Sequence, residues 1–198
     1  MDTAPGPRSA GRPRDPTVDQ RILETTIRLL AEQGYDAMSI EGIAAAAGIG
    51  KTTIYRRYPG KREAVVAALS SIAASVEPPD DSGDTRADLR DFFTRTFQTL
   101  WRIGIGLAML GTLLSKERID PELMDQFRAE VIRPRLAAAS EILRRGIARG
   151  DIRADIVPEI VAQLLAGSIL ARHVSGMPED EPWLDAVFDT IWDGIATR

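Results

Sequence analysis

Apolar residues in this chain recur at three- and four-residue spacing in one segment after another, and no segment alternates apolar with polar in steps of two. The first period belongs to a helix with one buried face, the second to a half-buried strand. An all-α fold of about nine helices is therefore expected, with glycine and proline as punctuation. The first helix starts near residue 17, where Thr17 and Gln20 stand in capping-box register, carries Leu23, Ile27, Leu30 and Ala31, and stops at Gly34. Ser39 is placed to cap a short second helix with Ile40, Ile43, Ala44 and Ala47 along one side. Gly48 ends it, and a third short helix covers residues 51–57 before Pro59 and Gly60 break the chain. A fourth carries Val65, Ala68, Leu69, Ile72 and Val76, and the acidic, proline-containing stretch 77–84 reads as a linker. Further helices are predicted over 85–103, 106–116, from Asp120-Pro121 toward residue 150, 156–175 and 182–196. Pro134 should kink or divide the third of these.

Composition narrows the function. At 198 residues, 44% apolar and 27% charged, the chain is long enough for a sizeable core and ordinary for a globular protein. No apolar run approaches the roughly 18 residues of a membrane span, and the first residues carry no signal-peptide core, so a cytoplasmic location is expected. The absence of cysteine excludes disulfides and thiolate chemistry. With a single histidine, His173, read as a core or interface residue, neither a metal site nor a cofactor is expected. No nucleophile–base pair and no glycine-rich phosphate loop is present, so an enzyme is not expected. The net charge of −4 opposes binding to an anion, but it is unevenly spread. Residues 1–62 hold 10 Lys/Arg against 7 Asp/Glu, and residues 63–198 hold 15 against 22, a basic head on an acidic body.

The third helix is the part of that head with a clear chemistry. Ile54 and Tyr58, four apart, form its natural buried pair. Lys51, Thr52, Thr53, Tyr55, Arg56 and Arg57 are then left to face outward, and none is acidic. Two short helices joined at a glycine, the second presenting hydroxyl and cationic groups, form the pattern of a helix-turn-helix. Lys51 suits guanine O6/N7, while Thr52 and the Tyr55 ring suit a thymine methyl. Ser39 at a helix N-terminus and Lys61 at the start of the fourth helix suit phosphates.

Residues 34–61, from Gly34-Tyr-Asp-Ala-Met-Ser through Thr53-Ile-Tyr-Arg-Arg-Tyr-Pro-Gly-Lys61, closely resemble the DNA-binding domain of the TetR (AcrR-like) family of bacterial repressors. The resemblance covers about residues 17–70 and implies phosphate contacts at Ser39, Thr53, Arg57 and Lys61 and base-facing positions at Lys51, Thr52 and Tyr55. Glu41, Gly50 and Gly60 depart from the pattern, Glu41 by placing a negative charge where a phosphate would approach. The expected organisation is a flexible basic arm over 1–16, a three-helix DNA-binding domain over 17–62 and a helical ligand-binding and dimerisation bundle over 63–198. In the arm, Gly11-Arg12-Pro13-Arg14 resembles half of an AT-hook, so Arg12 and Arg14 are candidate minor-groove contacts.

In the body, Val161, Leu164 and Leu165 on one helix and Leu184, Val187, Phe188, Ile191, Trp192 and Ile195 on another form stripes wide enough for a two-fold interface between copies. Phe93, Phe97, Trp101, Met109, Leu113, Met124 and Phe127 form an aromatic and methionine stripe that is either plain core or, as the resemblance implies, the wall of an inducer cavity for a largely apolar small molecule. The expected function is a homodimeric, cytoplasmic, nucleoid-associated repressor of double-stranded DNA, released from a palindromic operator by its ligand. A helical DNA-binding or architectural protein working without a ligand is the alternative.

Overall fold

The computed structural model describes residues 16–74, 81–102 and 106–197, with side chains at all of these except 73, 74, 99–102 and 106–109. The basic arm, with Arg12 and Arg14, and the side chains of Trp101 and Met109 therefore lie outside the described residues. Among the described residues the chain is all-α: α1 (Pro16–Ala37), α2 (Ile40–Ala46), α3 (Lys51–Tyr55), α4 (Lys61–Ala74), α5 (Thr85–Arg102), α6 (Gly106–Lys116), α7 (Pro121–Phe127), α8 (Arg133–Arg149), α9 (Pro158–Val174) and α10 (Glu181–Ile195). A π-helical turn, Arg128–Ile132, joins α7 to α8 in one continuous rod, which leaves nine separate helices. Extended pairing among the described residues is limited to one isolated bridge between Ile152 and Ala196.

Pro134 does not divide this rod as its chemistry suggested. Proline lacks an N–H and its ring collides with the carbonyl four residues back. The π turn just ahead of it widens the backbone, with the Arg133 N–H donating to Arg128 O, five residues back. Pro134 then falls in the first turn of α8, where no N–H is needed. At the other end of the chain, α1 begins at Pro16, so Thr17 lies inside the helix rather than capping it, and the Gln20 amide donates to Glu24 instead. Gly34 (φ 75, ψ 166) interrupts α1 in the left-handed region, where the sequence placed the stop.

The α2–α3 corner is set by backbone hydrogen bonds. The Ile49 N–H reaches Ala44 O (2.9 Å) and the Gly48 N–H reaches Ala45 O (3.1 Å), the paired bonds of a Schellman cap. Gly48 holds φ 65, and a Cβ there would meet nothing within 4 Å. The cost of a substitution is thus purely conformational. Gly48→Val should destabilise the chain by about 1–2 kcal/mol in denaturant titration, whereas a substitution at exposed Ala46 should leave the midpoint almost unmoved.

Two apolar cores result. The first gathers Ile22 and Leu30 of α1, Ile43 of α2, Ile54 of α3 and Val65, Leu69 and Ile72 of α4, and it continues into Leu113, Leu123, Met124, Phe127 and Val131. The head is thus packed onto α6, α7 and the π turn, and its core runs past residue 62 along the whole of α4. Arg62 strengthens this seam by donating to Asp120 and Glu122, and Lys116 pairs with Asp36. The second core holds Leu89 and Phe93 of α5, Ile142 and Leu143 of α8, Val161 and Leu165 of α9, and Leu184 and Phe188 of α10.

Candidate nucleic-acid interface and body cavity

α3 is anchored by Ile54, which is fully buried, and by Tyr58 packed against the same core. That fixes which of its side chains reach solvent. Lys51, Thr52 and Arg56 are exposed, and among the described residues neither Lys51 nor Arg56 makes a side-chain hydrogen bond or ion pair. Thr53 is half-buried beside them, and Ser39 is exposed at the start of α2. The Ser39 oxygen accepts from the Gly42 N–H at 3.0 Å, which leaves its own O–H proton to donate outward.

Tyr55 is 43% exposed, and its hydroxyl donates to Glu41 Oε1 at 2.5 Å. Glu41 was set apart as a charge that would repel a phosphate; it also ties α3 to α2 through the Tyr55 hydroxyl. The hydrogen bond from Tyr55, with a further one from Glu41's own backbone amide, lowers the Glu41 carboxyl below its ordinary 4.5. The same bond raises the Tyr55 phenol above its ordinary 10.0. The contact therefore stabilises fully between those two ordinary values. It is lost as pH falls through the lowered carboxyl value, or rises through the raised phenol value. Glu41→Gln should bring the Tyr55 titration back toward 10.0, read as phenolate absorbance against a Tyr55→Phe control. An unshifted titration would mean that the bond does not hold in solution.

Two of the expected phosphate contacts are committed elsewhere. The Arg57 side chain is only 7% exposed and its Nε donates to Asp19 Oδ1 of α1 at 2.5 Å, so it does not face outward as α3's composition implied. It lies in the turn beyond the last residue of α3, where the chain bends back onto α1. Lys61 Nζ donates to the carbonyls of Tyr35 (2.7 Å), Met38 (3.2 Å) and Asp36 (3.4 Å) and lies over the Tyr35 ring. Its ammonium closes the end of α1, leaving it no donor aimed at a phosphate. Both residues thus position the head.

In the body, a cavity of about 270 Å³ lies between α5, α6, the rod from α7 through the π turn to α8, and α9. Phe93 and Phe127 stand in its wall. The other described members of that stripe do not: Leu113 and Met124 are buried in the head core, and Phe97 packs on Trp183 at 6.1 Å between ring centres. Several helices converge here, so a stripe along one of them meets different neighbours. Arg135, 7% exposed, is the one charged group among the described residues of the wall. It was missed, although its spacing from Met124, Val131, Ile142 and Ala139 puts it on α8's buried register, a signal visible in the sequence.

The expected interface residues also divide. Val161, Leu165, Leu184, Phe188 and Ile195 are buried within this chain's second core, and Val187, Ile191 and Trp192 are half-buried against it. Leu164 is exposed, and it belongs to a second stripe: Val157, Ile160, Leu164, Gly167, Ala171 and Val174, all exposed, at three- and four-residue spacing. α9 is apolar on two faces, and its sequence alone does not say which one turns inward. His173, at the end of α9, is exposed rather than in the core, its Nδ1 2.8 Å from Glu179 Oε1. No helix among the described residues is long and apolar enough to cross a membrane, and no cluster of potential metal ligands occurs among them.

Comparison with known proteins agrees with this architecture. Residues 22–68 match the family model described as bacterial regulatory proteins of the tetR family. Residues 79–191 match the tetracyclin repressor-like C-terminal domain. The chain is 31% identical over 191 residues to an uncharacterised HTH-type transcriptional regulator of Mycobacterium tuberculosis, covering 94% of this chain and 92% of the relative. It is 28% identical over 181 residues to the DNA-binding transcriptional repressor TetR of Mycobacteroides abscessus, covering 90% and 93%. A solved TetR-family regulator from Mesorhizobium loti superposes with TM-score 0.73 at 18% identity, over 94% of this chain and all of that one.

Proposed function

Because this chain belongs to the TetR family of bacterial transcriptional regulators, we propose that it is a homodimeric repressor that leaves a palindromic operator when a small apolar molecule enters the body. It is a DNA-binding regulator rather than an enzyme. The observation carrying the DNA-reading assignment is the free, acid-less face of α3, with Lys51, Thr52 and Arg56 exposed. α3 enters the major groove. Lys51, Thr52 and Tyr55 meet base edges, while Ser39, Thr53 and Arg56 bind phosphates. Arg57 and Lys61 hold that surface in shape. Arg12 and Arg14 of the arm extend the contact into the minor groove.

The exposed seam of α9 supports the dimer. Leu164 is 57% and Ile160 54% exposed, and a row of apolar residues at this spacing is the pattern by which helices pair. α10 adds half-buried Trp183, Val187 and Ile191. Two heads then meet half-sites about 34–36 Å apart. The cavity supports the ligand. Its occupation shifts α4, which is packed in the head core and against the π turn, so that the two heads no longer fit both half-sites. The protein acts on chromosomal DNA in the cytoplasm. Footprinting on the DNA flanking its own gene tests the proposal: two symmetric protected half-sites support it, and diffuse protection at any sequence would overturn it.

A further inference from the structure

The cavity wall is apolar almost throughout, and its exceptions among the described residues are Thr96 and Arg135. Arg135 is more than nine-tenths buried. One Nη donates to Val131 O at 2.9 Å and the other to Ile72 O at 3.2 Å. No carboxylate among the described residues lies within ion-pair distance of it. Burial pushes its pKa below the ordinary arginine value, yet a guanidinium keeps its proton at neutral pH. A full positive charge therefore faces an apolar cavity, and among the described residues its partners are two neutral carbonyls. Buried charge in that state is costly unless a counter-charge arrives.

One of its two partners has a second significance. Ile72 belongs to α4, the helix that also carries Val65 and Leu69 of the head core. Arg135 thus ties α8 to the helix that runs from the head toward the cavity.

Resting on the ligand-cavity reading above, we infer that the cavity takes an apolar ligand bearing a single carboxylate, which pairs with Arg135 and draws it from Ile72 O. The planar fork of a guanidinium matches a carboxylate in two parallel hydrogen bonds. One cation balances one negative charge, whereas a phosphate monoester would bring about −1.5 to −2 and leave buried charge uncompensated. A volume of about 270 Å³ admits only a small molecule, near the lower end of the roughly 300–1,000 Å³ of drug-sized sites. The same exchange that seats the anion breaks the Arg135 bond to α4, which joins recognition to the signal.

The test uses the full-length dimer with decanoate and the neutral decanol of equal chain length, measured by calorimetry. Wild type should bind decanoate about tenfold to a hundredfold more tightly than decanol. Arg135→Met should erase that preference while still binding decanol, and Arg135→Lys should restore part of it. Decanoate, and not decanol, should raise deuterium uptake at the C-terminal end of α4 in wild type. Equal binding of both compounds to wild type, or a preference that survives in Arg135→Met, would overturn the inference and leave the cavity reading standing. Failure of wild type to bind either compound would overturn both.

Discussion

Arg56→Ala should leave stability within about 0.5 kcal/mol of wild type and weaken DNA binding, while its neighbour Arg57→Ala should cost about 1–3 kcal/mol of stability. The two side chains are adjacent in sequence and opposite in environment. Arg56 is exposed and unengaged among the described residues. Its loss removes one phosphate neutralisation, so the slope of log affinity against log salt should fall by about one. Arg57 is nearly buried on Asp19, 2.5 Å away, and its removal breaks the charge-assisted bond that holds the end of α3 to α1. Denaturant titration and salt-dependent gel shift on both variants separate the roles. Equal stability losses would remove the distinction drawn between them.

The second large effect is expected at α9. Leu164→Glu places like charges on both sides of a two-fold seam and should convert the protein to a monomer by sedimentation, with helical content unchanged. Operator affinity should then fall by about a hundredfold or more, because two tethered heads gain that much from effective concentration. Leu165→Ala, one residue on, should do the reverse. It opens the second core and should cost about 2–5 kcal/mol while the chain stays a dimer. A Leu164→Glu protein that remains dimeric would place the interface elsewhere.

The parts of this molecule that were legible in its sequence are those governed by local rules. Helical periodicity, the glycine stops at Gly34 and Gly48, and the Ser39 cap depend on residues within four positions of each other, and the structure carries each of them. The exposure of Lys51, Thr52, Tyr55 and Arg56 followed from Ile54 being the anchor of α3, whereas Arg57 turned inward. What escaped was long-range pairing. Arg57 meets Asp19 across 38 residues and Lys61 meets the end of α1 across 23 to 26, and nothing local marks either partner. The π turn escaped for a different reason: Pro134 forbids a regular helix, but two remedies exist, a break or a wider turn, and packing on both sides selects the second. α9 carried two apolar faces, so periodicity gave its stripes without saying which belongs to the interior.

The central claim is that α3 reads bases through Lys51, Thr52 and Tyr55. Binding-site selection from randomised DNA, run in parallel for wild type and Thr52→Ala, addresses it directly. The account predicts a two-fold symmetric preferred site whose base preference changes for Thr52→Ala at one symmetric pair of positions and nowhere else. Uniformly weaker binding with an unchanged preferred sequence would contradict it.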